Sequence, residues 1–373
     1  MGMQHHHLHF LVKRELNELY ISVAIKSFTL SMISIFIPIF LLKLGYSLSS
    51  VLIFYAIESA THALFAIPAA KISSKYGFKH SIAYSIPILI IFYLGLYTLE
   101  QFHWPIYLLA IIFGIYSALY WIGYHIDFSI FSDKKKRGEE VGIARIATLV
   151  FQALGPIIGG LILTFIGFQS LFVTVSVLLI ASTIPLFFSK DIHNPIPLSI
   201  KKLFEGQEIK NALAFLGYGI ESGVSLVIWP IFIFFTILNN FTTLGIISSL
   251  SLLFSLFFIF IIGKFSNVHR KLVLKMGAFM NAIIWGVRFF VKTTFQVIIV
   301  DSFYGISQTL SIIPFETLSY DKANKSNIVK FTIFREISIH IGKVILFLVM
   351  TLISTLSISF LFGGGASLLY LFF

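Results

Sequence analysis

Apolar runs of about twenty residues follow one another along the whole chain, and that series leaves room for only one solvent. Twelve can be marked, at about 18–42, 47–70, 81–99, 104–131, 141–167, 168–189, 211–238, 241–263, 272–292, 294–318, 329–355 and 357–373. Each is long enough to cross a hydrocarbon layer of roughly 30 Å as an α-helix. A soluble domain covers itself with about a quarter charged residues, whereas only 12% of this chain is charged and 57% is hydrophobic. The expectation is an all-α integral membrane protein with twelve transmembrane helices. The fifth and sixth runs meet at Gly167 without a polar gap, and the last is short. The opening MGMQHHHLHFLVKRELNE is basic, but the span after it is too long for a signal-peptide core and no small-residue cleavage site follows. Residues 1–17 are therefore read as a retained tail, with the His-rich stretch a solvated part of it rather than the alternative, a metal-binding segment.

The basic residues sort by side. Of 27 Lys and Arg, twenty fall in loops on one face of this topology, among them Lys13, Lys71, Lys134, Lys201, Lys264 and Lys325. Only Lys43 and Lys292 fall in loops on the other, and Lys26, Arg145, Arg288, Arg335 and Lys343 lie within spans. Positive charge collects on the cytoplasmic side, so both termini are expected there, in a multi-pass protein of the cell membrane. The same asymmetry accounts for the net charge of +11 without a nucleic-acid partner. With no cysteine in the chain, disulfides and Cys-ligated metals are excluded.

The chain also reads as two copies of one half. IPIF (37–40) recurs as WPIF (229–232), and FGI (113–115) recurs as YGI (304–306). AKISSKYGFKH (70–80) has a counterpart in GKFSNVHRKL (263–272), and IDFSIFSDKKKRG (126–138) in FETLSYDKANKSN (315–327). Four matches in one order at nearly one offset describe a parallel repeat of six helices, with a cavity expected between the halves. The halves are placed at 18–189 and 211–373, joined by a cytoplasmic linker over 190–210.

On these residues the chain resembles the major facilitator superfamily over essentially its whole length. That family carries a loop G-x-L-A-D-R-x-G-x-K/R-K/R between helices 2 and 3. Lys75, Gly77 and Lys79 occupy matching places here, and Gly263, Arg270 and Lys271 do so in the second copy. Ser74 and Asn267 stand where the family has its acid, so an Asp-based latch is not expected. The stretch RGEEVGIARIATLVFQALGPIIGG (137–160) resembles the helix-5 pattern of antiporters through Gly142, Gly155, Pro156, Gly159 and Gly160, with Phe151 in place of one glycine. Small residues let helices approach closely in lipid, so ordinary packing is the alternative to any antiport meaning.

The resemblance implies secondary transport of a small solute by alternating access, without ATP or another cofactor. Tyr55, Glu58 and His62 recur at three and four residues on one face of helix 2. With Lys26, Glu221, His340 and Lys343 they are the substrate and coupling candidates. Glu58 and Glu221 are the residues expected to carry a coupling proton, though a structural pair such as Lys26 with Glu58 is an equal alternative. Charge within a span needs a partner. Asp127 with Arg145, and Glu316 with Arg335 and Glu336, are read as two acid–arginine clusters at the cytoplasmic mouth, either gating or static. Arg288 and Asp301 are read as a structural or outer-gate pair. Trp121, Tyr124, Trp229 and Trp285 either wall the cavity or sit at interfaces. The chain has no HExxH, P-loop or GxSxG pattern, and His125 and Asp127 at i, i+2 point apart on a helix. An integral-membrane enzyme with a metal or nucleophilic centre is thus not expected, whereas a lipid flippase or scramblase on the same fold remains an alternative. The topology predicts that a cysteine at Asn239 reacts with an impermeant thiol reagent applied outside the cell, while one at Asn194 does not.

Overall fold

In the computed structural model, residues 18, 21–132, 137–188, 203, 205–353 and 355–373 are described. The tail, most of the 190–210 linker, and the side-chain surroundings of Gly142, Arg145 and Gly263 lie outside the described residues. Among the described residues every regular element is helical. The first half contains α1 (Ile21–Lys43), α2 (Leu48–Tyr76), α3 (Phe78–Tyr97) and α4 (Ile106–Phe131). It continues with α5, broken into Arg137–Gln152 and Gly155–Phe165, and α6 (Phe168–Thr183). The second half begins with α7 (Ile209–Leu238). The run Phe241–Arg288 follows and is bent at His269 (φ −124°, ψ 46°), so it divides into α8 (241–268) and α9 (270–288). Then come α10 (Thr294–Lys325), α11 (Ile328–Thr351) and α12 (Ile358–Leu368). Among the described residues, nine helices are long and apolar enough to cross a membrane.

Several ends follow from single residues. Ser47 caps α2 by accepting the Ser50 N–H, and Gly77 stops it at φ 101°, a backbone that a Cβ-bearing residue rarely takes. Thr293 and Gln296 form a reciprocal capping box that starts α10. The IPIF and WPIF copies mark matching irregularities. A 3-10 turn at Ser34–Phe36 precedes Pro38 in α1, and a π turn at Val224–Ile228 precedes Pro230 in α7. Proline cannot donate to the turn before it, so the regular ladder ends there.

Glycine sets how the helices cross. Gly114 of α4 lies against the Glu58 carbonyl of α2, and Gly305 of α10 lies against the Ser251 carbonyl of α8. Gly159 of α5 abuts the Met32 carbonyl of α1, and Gly219 of α7 abuts the Ile339 carbonyl of α11. These pairs repeat one packing in both halves. Between the halves, α2 packs along α11 and α5 packs along α8, where Gly160 meets Phe241 and Gly245 meets Pro156. Helix α5 breaks at Ala153–Leu154, just before Pro156. Beyond the break, the Ile157 N–H donates to Ser249 Oγ of α8 at 3.2 Å, so a neighbour supplies the partner.

A Cβ on Gly159 would sit 1.8 Å from the Met32 oxygen, whereas one on Gly286 would meet nothing within 4 Å. Gly159→Val is expected to lower stability in detergent by at least the ~1–3 kcal/mol typical of overpacking. Gly286→Ala should leave it unchanged or slightly raised, and equal thermal profiles for the two variants would contradict this packing.

Candidate functional site

A cavity of about 530 Å³ lies between the halves. Helices α1, α2 and α4 bring Lys26, Tyr55, Glu58 and Tyr120 to its wall, and α9, α10 and α11 bring Arg288, Asp301, Tyr304, Glu316 and Lys343. Lys26 is only 5% exposed and has no ion-pair partner among the described residues. Its ammonium instead sits over the Tyr120 ring, 2.8 Å from the centroid, with Trp121 and Tyr116 at 5.3 and 5.5 Å. Aromatic faces attract a desolvated cation, which explains how a lysine persists here without a carboxylate. The pair Lys26–Glu58 considered from sequence is therefore not formed, although both groups face the same space.

Beside the cavity, one carboxylate collects three partners. Glu336 accepts from Arg335 Nη1 at 2.8 Å, meets His62 Nε2 at 3.2 Å, and has His125 Nε2 at 3.7 Å. The chain extends at both ends, since His62 Nδ1 bonds Ser117 Oγ at 2.9 Å and His125 Nδ1 bonds the Tyr320 hydroxyl at 2.8 Å. It thus runs through α2, α4, α10 and α11 and joins the two halves. Asn324 Nδ2 also donates to the Ser129 carbonyl of α4 at 3.2 Å. At the opposite end of the cavity the halves meet through Phe36 and Phe241, with centroids 5.8 Å apart, and through the Thr164–Thr242 hydroxyls at 2.8 Å.

The second-half wall holds a different arrangement. Arg288 Nη2 donates to Asp301 Oδ1 at 2.8 Å, and Trp229 Nε1 donates to Oδ2 at 3.1 Å. Trp229, Trp285 and Tyr304 surround the guanidinium with ring centroids 4.0–4.2 Å from it. From sequence this pair belonged near the outer face. Arg288, in the last turn of α9, and Asp301 form that pair on the cavity wall. Behind it, Glu221 accepts from Trp285, Tyr304 and Gln308 on one oxygen and from Tyr370 on the other. It does not line the cavity.

Sequence reasoning therefore brought Lys26, Tyr55, Glu58 and Lys343 to the cavity, with His62 and His340 packed ring on ring beside it. Arg335 and Glu336, expected in a second-half cluster with Glu316, also build the link between halves, and Glu316 stays close enough to Arg335 to act on its charge. Glu316 lies on the cavity wall, and Asp127 is buried in α4. His125 was set aside because Asp127 points elsewhere, and its real partners come from α10 and α11. Of the loop residues, Lys79 is buried against Glu18 at 2.9 Å and Arg270 pairs with Asp321, whereas Lys75 and Lys271 are exposed.

The sequence matches the model of the Major Facilitator Superfamily over residues 14–210. The chain belongs to that superfamily. Its fold is similar to the E. coli fucose:proton symporter, at 12% identity and TM-score 0.71, covering 96% of each chain. It is likewise similar to the human organic anion transporter MFSD10, at 10% identity and TM-score 0.70, covering 97% of this chain and 99% of that one. The POT family transporter PepTSo gives 11% identity and TM-score 0.74, with 96% of each chain covered. A sequence search of curated proteins found no match. This superfamily member is a multi-pass membrane protein with the superfamily's transporter fold.

Asp301→Asn should destabilise by roughly the 3–5 kcal/mol that follows from leaving a buried charge unpaired. Combining it with Arg288→Met should cost less than the two single changes together. Additive losses in a denaturation cycle would show that the pair is not coupled.

Proposed function

We propose that this protein is a secondary transporter that moves a small solute by alternating access and couples the movement to protons. The observation that carries the reading is the cavity between the halves, to which each half contributes both a cation and an acid: Lys26 and Glu58 from one, Arg288, Lys343, Asp301 and Glu316 from the other. A central site shared by two repeats is where alternating access requires it, because rocking one half against the other then changes which side the site faces. In this reading 18–189 and 211–373 move as units about the 190–210 linker, with both termini cytoplasmic in the cell membrane.

Of the two acids considered for coupling, Glu58 suits the task better. It stands on the cavity wall and accepts one described hydrogen bond, from Ser59 Oγ at 3.0 Å. Glu221 is held by four donors and serves as the anchor of α7 on α9, on α10 and on the 3-10 turn (Leu369–Phe372) that follows α12. The gate is the Glu336 chain. Parting α2 and α4 from α10 and α11 breaks the His62–Glu336 and His125–Tyr320 bonds together, opening the cavity on that side. The similarity to the fucose:proton symporter supports a proton as coupling ion, and the helix-5 glycine pattern leaves antiport as open as symport. Energy comes from the gradient, so no nucleotide enters the cycle.

A solute screen in proteoliposomes, with and without an imposed pH gradient, tests the reading. A transported solute should accumulate uphill only with the gradient. Glu58→Gln should abolish accumulation yet keep counterflow, because a carrier with a permanently neutral site still reorients. Uptake that ignores both the gradient and Glu58→Gln would rule out coupling through this residue.

A further inference from the structure

Glu58 and His62 stand one turn apart on α2, and α11 brings His340 against them. The two imidazoles stack with centroids 3.5 Å apart and planes 15° apart. One Glu58 oxygen and one nitrogen from each ring all lie within 4.8 Å of one another. The three residues are 6%, 0% and 3% exposed, respectively. Glu58 nevertheless lines the cavity, so a small ion inside it has a path to the cluster.

A second observation concerns His340. Its Nδ1 is buried and has no hydrogen-bond partner among the described residues. A buried polar atom left in that state costs about 1–3 kcal/mol, and packing alone supplies no compensation. His62 has Nε2 at 3.2 Å from a Glu336 oxygen and Nδ1 bonded to Ser117 Oγ at 2.9 Å, so a cation bound by this ring takes the place of one of those two contacts while the other orients it. A carboxylate on one nitrogen of an imidazole fixes the tautomer and ring direction of a metal ligand.

We propose that Glu58, His62 and His340 form a binding site for a divalent transition-metal cation, entered from the cavity. Two imidazoles and one carboxylate suit zinc, cobalt(II) or iron(II), whereas calcium and magnesium prefer all-oxygen shells. Three protein ligands leave further coordination positions open toward the cavity for water or a solute. Ligand atoms on a tetrahedral cation with bonds of about 2.0–2.1 Å lie about 3.4 Å apart. The cluster must therefore close by turning the two stacked rings toward a common point, a change in side-chain torsions alone. Arg335 is already paired with Glu336 at 2.8 Å, so the Glu58 carboxylate supplies the neutralising charge.

The His-rich start of the chain needs a control, because His5, His6, His7 and His9 can bind the same ions. The test uses the full chain in detergent with these four replaced by alanine. It is titrated with Co²⁺ by visible absorption and with Zn²⁺ by calorimetry. One equivalent per chain is expected, with no competition from Mg²⁺ at the same concentration. His340→Ala and Glu58→Gln should each weaken binding by more than the roughly tenfold that even a supporting residue contributes. His340→Gln keeps the side-chain bulk and replaces His340→Ala if that variant elutes as aggregate. Absence of stoichiometric binding, or binding indifferent to both substitutions, would overturn the proposal. The readout is equilibrium binding, so the site stands or falls separately from proton-coupled transport.

Discussion

Glu336 is a carboxylate only 3% exposed, placed where two halves of a membrane protein meet, and most of the cross-half organisation follows from that. A charge in such a place persists only if protein groups compensate it. Arg335 does so from the same helix, and His62 and His125 do so from α2 and α4. The consequence is mechanical as well as electrostatic. Satisfying one carboxylate fixes the register of α11 against both first-half helices, and through His125 it reaches Tyr320 of α10. Helices in lipid gain little from apolar contact with each other, so this polar connection and the glycine crossings carry what a hydrophobic core carries elsewhere.

The same rule explains why the cavity's ionic groups differ in character. Arg288 and Asp301 satisfy each other inside a box of Trp229, Trp285 and Tyr304, which stiffens the second-half wall. Among the described residues, Lys26 has rings instead of a counterion, and Glu58 has a single hydroxyl donor. In the proposed transport cycle, groups held this loosely exchange partners with an entering solute or proton at small cost, whereas the saturated Glu221 does not. Working groups and structural groups of the proposed cycle are thus separated by how fully each charge is already compensated.

Much of this was legible in the chain. Span lengths located the helices, and the IPIF/WPIF and FGI/YGI pairs marked equivalent irregular turns and equivalent glycine crossings. The three- and four-residue spacing of Tyr55, Glu58 and His62 set them on one helix face. What could not be read was the meeting of α2 with α11, because His62 is far in sequence from Glu336 and His340 and periodicity carries no information about inter-helix register. His125 was missed for the same reason: its neighbours in the chain are not its partners.

Two distances measured together test the central claim, that the halves rock about the cavity. Spin labels at Ser49 and Asn239 report one end, and labels at Lys75 and Lys325 report the other; all four residues are exposed and the chain has no native cysteine to confuse labelling. In lipid, changing pH or adding a transported solute should shift the two distance distributions in opposite senses, one end parting as the other closes. Distances that stay fixed, or that lengthen and shorten together, would contradict alternating access in this protein.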